Sequence, residues 1–142
     1  MTGVWVLLGT LVVAVLAGLL LRARNGRVRS SGVSQRALPQ VVAEALDPAS
    51  AVTLVQISTT FCAPCRHTKA LLSSLAARTE GLHHVELDVT HQPEVAQALA
   101  VLRTPTTLAF TPEGRELVRV GGVPRSETLL DALRPHLTAE VP

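Results

Sequence analysis

The chain has no tyrosine, one lysine and two cysteines in 142 residues. Its aromatic side chains are Trp5, Phe61 and Phe110, so a core must be built from Leu, Val, Ile and Ala. So few cysteines exclude a disulfide-stapled secreted scaffold, and a domain of this size can bury a core without staples. Two thiols also cannot fill the four-ligand shell of a structural zinc site by themselves. Acidic residues are missing before Glu44, whereas Arg22, Arg24, Arg27, Arg29 and Arg36 carry five of the thirteen basic charges. Beyond Arg36, eight basic side chains face eleven acidic ones, a balance that gives no reason to expect nucleic acid as a partner. No internal repeat is visible.

Charge is also absent between Thr2 and Leu21. Val4 to Leu21 would make roughly 27 Å of helix at ~1.5 Å per residue, enough for a hydrocarbon core of about 30 Å. Trp5 stands at one end, where an interfacial anchor belongs. A secretory signal peptide is the competing reading. It needs a basic start, a shorter apolar core and a small-residue cleavage site, but no Lys or Arg precedes this run and Leu21-Arg22 is a poor site. Residues 1–21 are therefore read as an uncleaved transmembrane anchor, with the lipid bilayer as partner and a single-pass location in the cell membrane. Four arginines directly after the span place the soluble part in the cytoplasm by the positive-inside rule, the extracytoplasmic side being the alternative. Residues 22–50 read as a basic juxtamembrane linker with a short helix from Pro39 to Leu46. Residues 51–142 read as the soluble domain.

Within that domain, Ala51 to Thr59 is an apolar, β-branched strand. Cys62 to Thr79 has helical apolar spacing, with Gly81 as its C-cap. His84 to Val89 alternates as a strand, and His83-His84 reads as its exposed start. Pro93 opens a short helix over 94–100. Thr106 to Phe110 and Glu116 to Val120 form a hairpin whose turn places Gly114 where φ must be positive. Ser126 caps a last helix over 127–137. The order β-α-β-α-β-β-α predicts an α/β domain, a parallel crossover unit followed by a hairpin.

Cys62-Ala63-Pro64-Cys65 stands where the first strand meets the first helix, the arrangement of a redox dithiol. A metal pair is the bland competitor: Cys62, Cys65 and His67, with His83, His84 and His91 in reserve. Its geometry does not close, because His67 follows Cys65 by two residues and lies on another helical face. Haem attachment needs His at 66, which is Arg66.

Three separated motifs then resemble those of the thioredoxin family, over roughly Ala51 to Leu137. Phe61-Cys-Ala-Pro-Cys65 is similar to the family's Trp-Cys-Gly-Pro-Cys, Arg103-Thr-Pro-Thr106 to its cis-proline loop, and Val120-Gly-Gly122 to its glycine turn beside the active site. The resemblance implies a three-layer fold, a central mixed sheet with helices on both faces, here behind one transmembrane helix. It implies Cys62 as nucleophile, Cys65 as resolving thiol, a cis Pro105, and a substrate groove formed by Phe61, Ala63, Pro64, Thr104, Pro105 and Gly121. Two departures stand out. Gln56 occupies the position of the family's buried Asp, and Glu86 that of a common Lys, which leaves Glu86 as the candidate for proton transfer.

The expected activity is that of a membrane-anchored thiol–disulfide oxidoreductase that reduces protein disulfides. Its partners would be disulfide-bearing proteins and a thiol electron donor, with no cofactor and no metal. The competing readings are an extracytoplasmic tethered reductase serving cytochrome or secreted-protein thiols, and a non-catalytic binding module on the same fold.

Overall fold

A computed structural model of the chain describes residues 2–30 and 37–138. Arg36 and the rest of 31–36 lie outside the described residues, as do 139–142. Strand β2 (Val52–Ser58) is buried at every position and organises the rest. Successive side chains of a strand point to opposite faces, so its two apolar sets seed two cores. Val52 and Leu54 pack with Leu72 and Leu75 of helix α3 (Ala63–Ala77) and with Leu129 and Leu133 of helix α5 (Ser126–Leu137). On the other face, Val55 and Ile57 pack with Val42 of helix α2 (Gln40–Ala45) and Val95 of helix α4 (Pro93–Ala98). Phe110 is the one aromatic among the fully buried side chains, so aliphatic residues fill both layers.

Strand β3 (Leu82–Asp88) pairs parallel with β2, while β4 (Thr106–Phe110) pairs antiparallel with β2 on its other side. Strand β5 (Glu116–Gly121) completes the hairpin, with Gly114 at φ +82° in its turn. Among the described residues the sheet is mixed and five-stranded, in the order β1 (Val28–Ser30), β5, β4, β2, β3, with helices on both faces.

The fifth strand is a departure from the sequence reading. Val28–Ser30 forms β1, antiparallel to β5, where a linker was expected. Three residues with two polar members carry no strand signal of their own; the open edge of β5 supplies the pairing. Helix α2 likewise belongs to the core, since Val42 is fully buried. Helix α1 runs from Thr2 to Arg24, longer than the expected span, is exposed throughout and is long and apolar enough to cross a membrane. Two caps also differ. Helix α3 ends at Arg78, and Gly81 (φ +75°) serves the turn into β3 instead. Arg125 is the N-cap of α5, so Ser126 is its first helical residue and bonds no backbone N–H as a cap.

Candidate active site

Cys62 is the N-cap of α3, and Pro64 occupies the first turn, where its missing N–H costs no helical bond. The Cys65 N–H, one turn in, donates to the Cys62 carbonyl (3.2 Å). The two sulfurs form a disulfide of 2.06 Å. Cys62 is partly exposed, whereas Cys65 is buried. Their difference in access follows from helix geometry: a cap residue sits at the rim, and the residue three further on turns toward the sheet.

The cis-proline loop reaches the same place from the far end of the chain. Thr104–Pro105 is a cis peptide, as the resemblance implies, and Pro105 is buried. The Thr104 hydroxyl meets that of Thr59, at the end of β2, at 3.4 Å. The Pro105 carbonyl accepts from the Gly122 N–H at 2.7 Å, which joins the glycine turn to the loop. Thr59, Thr104, Val101, Leu102 and Pro93 line a groove of about 400 Å³ beside the loop. Phe61, Ala63 and Pro64 are exposed around Cys62, with Phe61 97% exposed. Gly121 lies in a neighbouring pocket, and its carbonyl is taken by the Gly26 N–H (2.9 Å) and the Arg103 guanidinium (3.0 Å).

Behind the dithiol, Gln56 is fully buried and its amide N–H donates to the Cys65 carbonyl at 2.9 Å. That carbonyl can only accept, so the Gln56 NH₂ must face it and Oε1 must face the other way. Oε1 lies 3.2 Å from His84 Nε2, which therefore carries the proton and donates. His84 Nδ1, left as the acceptor, takes the Ser73 hydroxyl at 3.0 Å. Burial holds the His84 pKa below the ordinary histidine value, and the weaker pull of Glu86 opposes it. The ring is thus a neutral bridge from helix α3 to the back of Cys65. His84 is the residue the sequence reading missed, since it is not an exposed strand start but half-buried beneath α3.

Glu86 stands in register with Gln56 and shares its face. Its carboxylate pairs with Lys69 Nζ at 2.8 Å, a contact that raises the Lys69 pKa. Among the described residues, no three side chains of His, Cys, Asp or Glu gather as a metal cluster.

The thioredoxin family model matches residues 34–135. The chain belongs to the thioredoxin family. It is similar to the thioredoxin of Staphylococcus aureus, at 35% identity over 89 residues, 62% of this chain and 85% of that protein. Among solved structures, a single-substitution mutant of the thioredoxin from Halobacterium salinarum NRC-1 has a TM-score of 0.58 at 24% identity, covering 77% of this chain and 89% of that one. The thioredoxin of Fasciola hepatica has 0.55 at 22%, covering 68% and 88%. At such identities the solved structures speak for the fold, and the sequence matches speak for the family. Family membership together with the bonded Cys62–Cys65 pair makes this protein a thiol–disulfide oxidoreductase.

Proposed function

We propose that the protein is a single-pass, membrane-anchored reductase of protein disulfides whose domain faces the cytoplasm. The observation that carries the reading is the asymmetry of the dithiol, with Cys62 at the accessible cap of α3 and Cys65 buried beneath it. In the reduced protein, unpaired N–H groups and the helix dipole favour a thiolate at Cys62. The Cys62 thiolate attacks one sulfur of the substrate disulfide, forms a mixed disulfide and releases the other sulfur as a thiolate. Cys65 then loses its proton and attacks Cys62 Sγ. The Cys62–Cys65 disulfide forms and the second substrate thiol leaves, two electrons having passed to the substrate. A thiol donor restores the dithiol.

Phe61, Ala63 and Pro64 flank the attacking sulfur, while Thr104 and Pro105 hold the opposite wall for an extended substrate segment. No carboxylate occupies position 56, so the Cys65 proton has to leave by another route. Glu86, on the same face of the sheet, collects it through water. Orientation rests on Arg22, Arg24, Arg27 and Arg29 after the apolar span.

Cys65→Ser is expected to accumulate a mixed disulfide with substrate, and Cys62→Ser to trap none. The reverse pattern would exchange the two roles, and no trapping by either would refute disulfide reduction. A cysteine added after Leu137 is expected to resist membrane-impermeant maleimide in intact cells and to react after lysis. Labelling in intact cells would put the domain outside.

A further inference from the structure

We propose that an arginine pocket where α1 meets the sheet binds the phosphate of an anionic phospholipid headgroup. The proposal rests on the membrane-anchored reading above. The pocket holds about 220 Å³ and is lined by Arg24, Arg27 and Arg29 from the N-terminal segment and by Arg103 and Arg119 from the domain. These two parts of the chain are fixed to each other. The Gly26 N–H donates to the Gly121 carbonyl at 2.9 Å, and β1 pairs with β5 directly afterwards.

That pairing sets Arg29 directly opposite Arg119. Like charges across an antiparallel pair destabilise it. Five guanidinium groups line the site, and among the described residues the one acid ion-paired with any of them is Glu116, which binds Arg119 at 2.8 and 2.9 Å. Arg103 donates to a backbone carbonyl, and Arg24, Arg27 and Arg29 have no ion pair among the described residues. Such a cluster is repulsive when empty and becomes favourable around an anion with several oxygens. Phosphate fits best, because the planar guanidinium fork matches its oxygens in pairs.

Two features select a lipid over a free phosphate. The pocket begins at Arg24, the end of the apolar helix, which is the depth of the headgroups once that helix spans the bilayer. Leu102, 97% exposed, lines the same pocket and gives it an apolar lip, as an acyl chain would need.

The test uses the full chain, purified from membranes in neutral detergent and offered equal amounts of phosphatidylglycerol and phosphatidylcholine in native mass spectrometry. Phosphatidylglycerol should be retained in clear preference. Arg27→Gln/Arg29→Gln should weaken its retention by about thirtyfold, the equivalent of about 1 kcal/mol per arginine. Arg103→Gln, which leaves β1 intact, should weaken it about fivefold on the same scale. Arg78→Gln/Arg115→Gln removes the same charge elsewhere and should change nothing. Equal retention of both lipids, or equal loss in the Arg78/Arg115 control, would overturn the proposal. So would complete displacement of the lipid by millimolar inorganic phosphate, which would mark the occupant as a free anion. The same spectra weigh the chain. A mass lacking α1 refutes the anchor itself, whereas an intact chain without lipid preference refutes the pocket alone.

Discussion

Replacing Gln56 by Asp probes the back of the dithiol directly. The new carboxyl is one methylene shorter than the amide and sits where the side chain is fully buried. It loses the bond to the Cys65 carbonyl and the one from His84. At about 1 kcal/mol net per hydrogen bond and ~0.8 kcal/mol for the buried methylene, the variant is expected to be about 3 kcal/mol less stable while its carboxyl is neutral. Burial disfavours the ionised form, so its pKa rises, and each unit costs ~1.36 kcal/mol of stability above that pKa. The introduced carboxyl therefore gains a pKa closer to that of a thiol, which makes it a competent proton acceptor for Cys65. General-base assistance lifts the rate of such a step by up to ~10²-fold. Stability and rate move in opposite directions.

The assay is single turnover with a disulfide-bonded protein substrate, quenched in acid and alkylated, so that the lifetime of the Cys62 mixed disulfide is read at several pH values. Circular dichroism at each pH confirms that the variant is folded. A folded Gln56→Asp protein with an unchanged mixed-disulfide lifetime across pH would refute the reasoning, since Cys65 deprotonation would then not be slow. Parallel Glu86→Gln and His84→Gln variants identify the acceptor in the parent protein. If Glu86 collects the proton, its loss alone prolongs the mixed disulfide; prolongation by His84→Gln instead would move that role to the imidazole.

Three further outcomes follow from local geometry. Ala100 holds φ +52° at the end of α4, where its N–H and that of Val101 bond back to Gln97 and Ala96, so Ala100→Gly should raise stability by about 0.5–1 kcal/mol in urea unfolding; destabilisation would refute the assigned strain. The Thr107 hydroxyl is buried in β4 without a hydrogen-bond partner among the described residues, so Thr107→Val should be neutral or stabilise by about 1 kcal/mol, and a clear loss would reveal a partner. Because burial depresses the His84 pKa, the unfolded chain takes up a proton near the ordinary value of about 6.5 while the folded one does not; stability should fall as pH drops from there to the folded value and then level, and His84→Gln should remove that step. Asp47, Asp88 and Glu113, whose pKa values are lowered chiefly by hydrogen bonds to Ser50, Thr90 and Thr111, lose their contributions only in the carboxylate range, so the two windows separate.

Strands β2, β4 and β5 were legible because each carries its own pattern: a buried β-branched run, and two runs joined through Gly114. The dithiol was legible because Cys62 and Cys65 have no rivals in the chain. His84 was not. Alternation along β3 shows that His84 and Glu86 share one face and Val85 and Leu87 the other, but not that α3 covers the polar face. Only the register, Leu54 beside His84 and Gln56 beside Glu86, places the imidazole behind Cys65. Strand β1 was illegible for a related reason. Its stability lies in the partner edge, and the arginines that surround Val28 made it read as solvated chain.

The misreading of residues 22–30 changes how the domain would sit on a membrane. A free linker would let the dithiol roam. Instead, Arg24 ends the helix and Val28 begins the strand, four residue steps later and at most about 14 Å away. Within that step, Gly26 at φ +74° bonds Gly121, and a Cβ on Gly26 would strike the Val123 carbonyl. Gly122 sits at φ +88°, and a Cβ there would meet the Asn25 side-chain amide, which would have to move. The same Gly122 donates to the Pro105 carbonyl. The turn that leaves the apolar helix and the loop that carries Pro105 are therefore two sides of one glycine pair. On the proposed anchoring, the helix fixes both the height and the tilt of the dithiol groove above the headgroups, and the disulfides within reach are those held close to the bilayer surface.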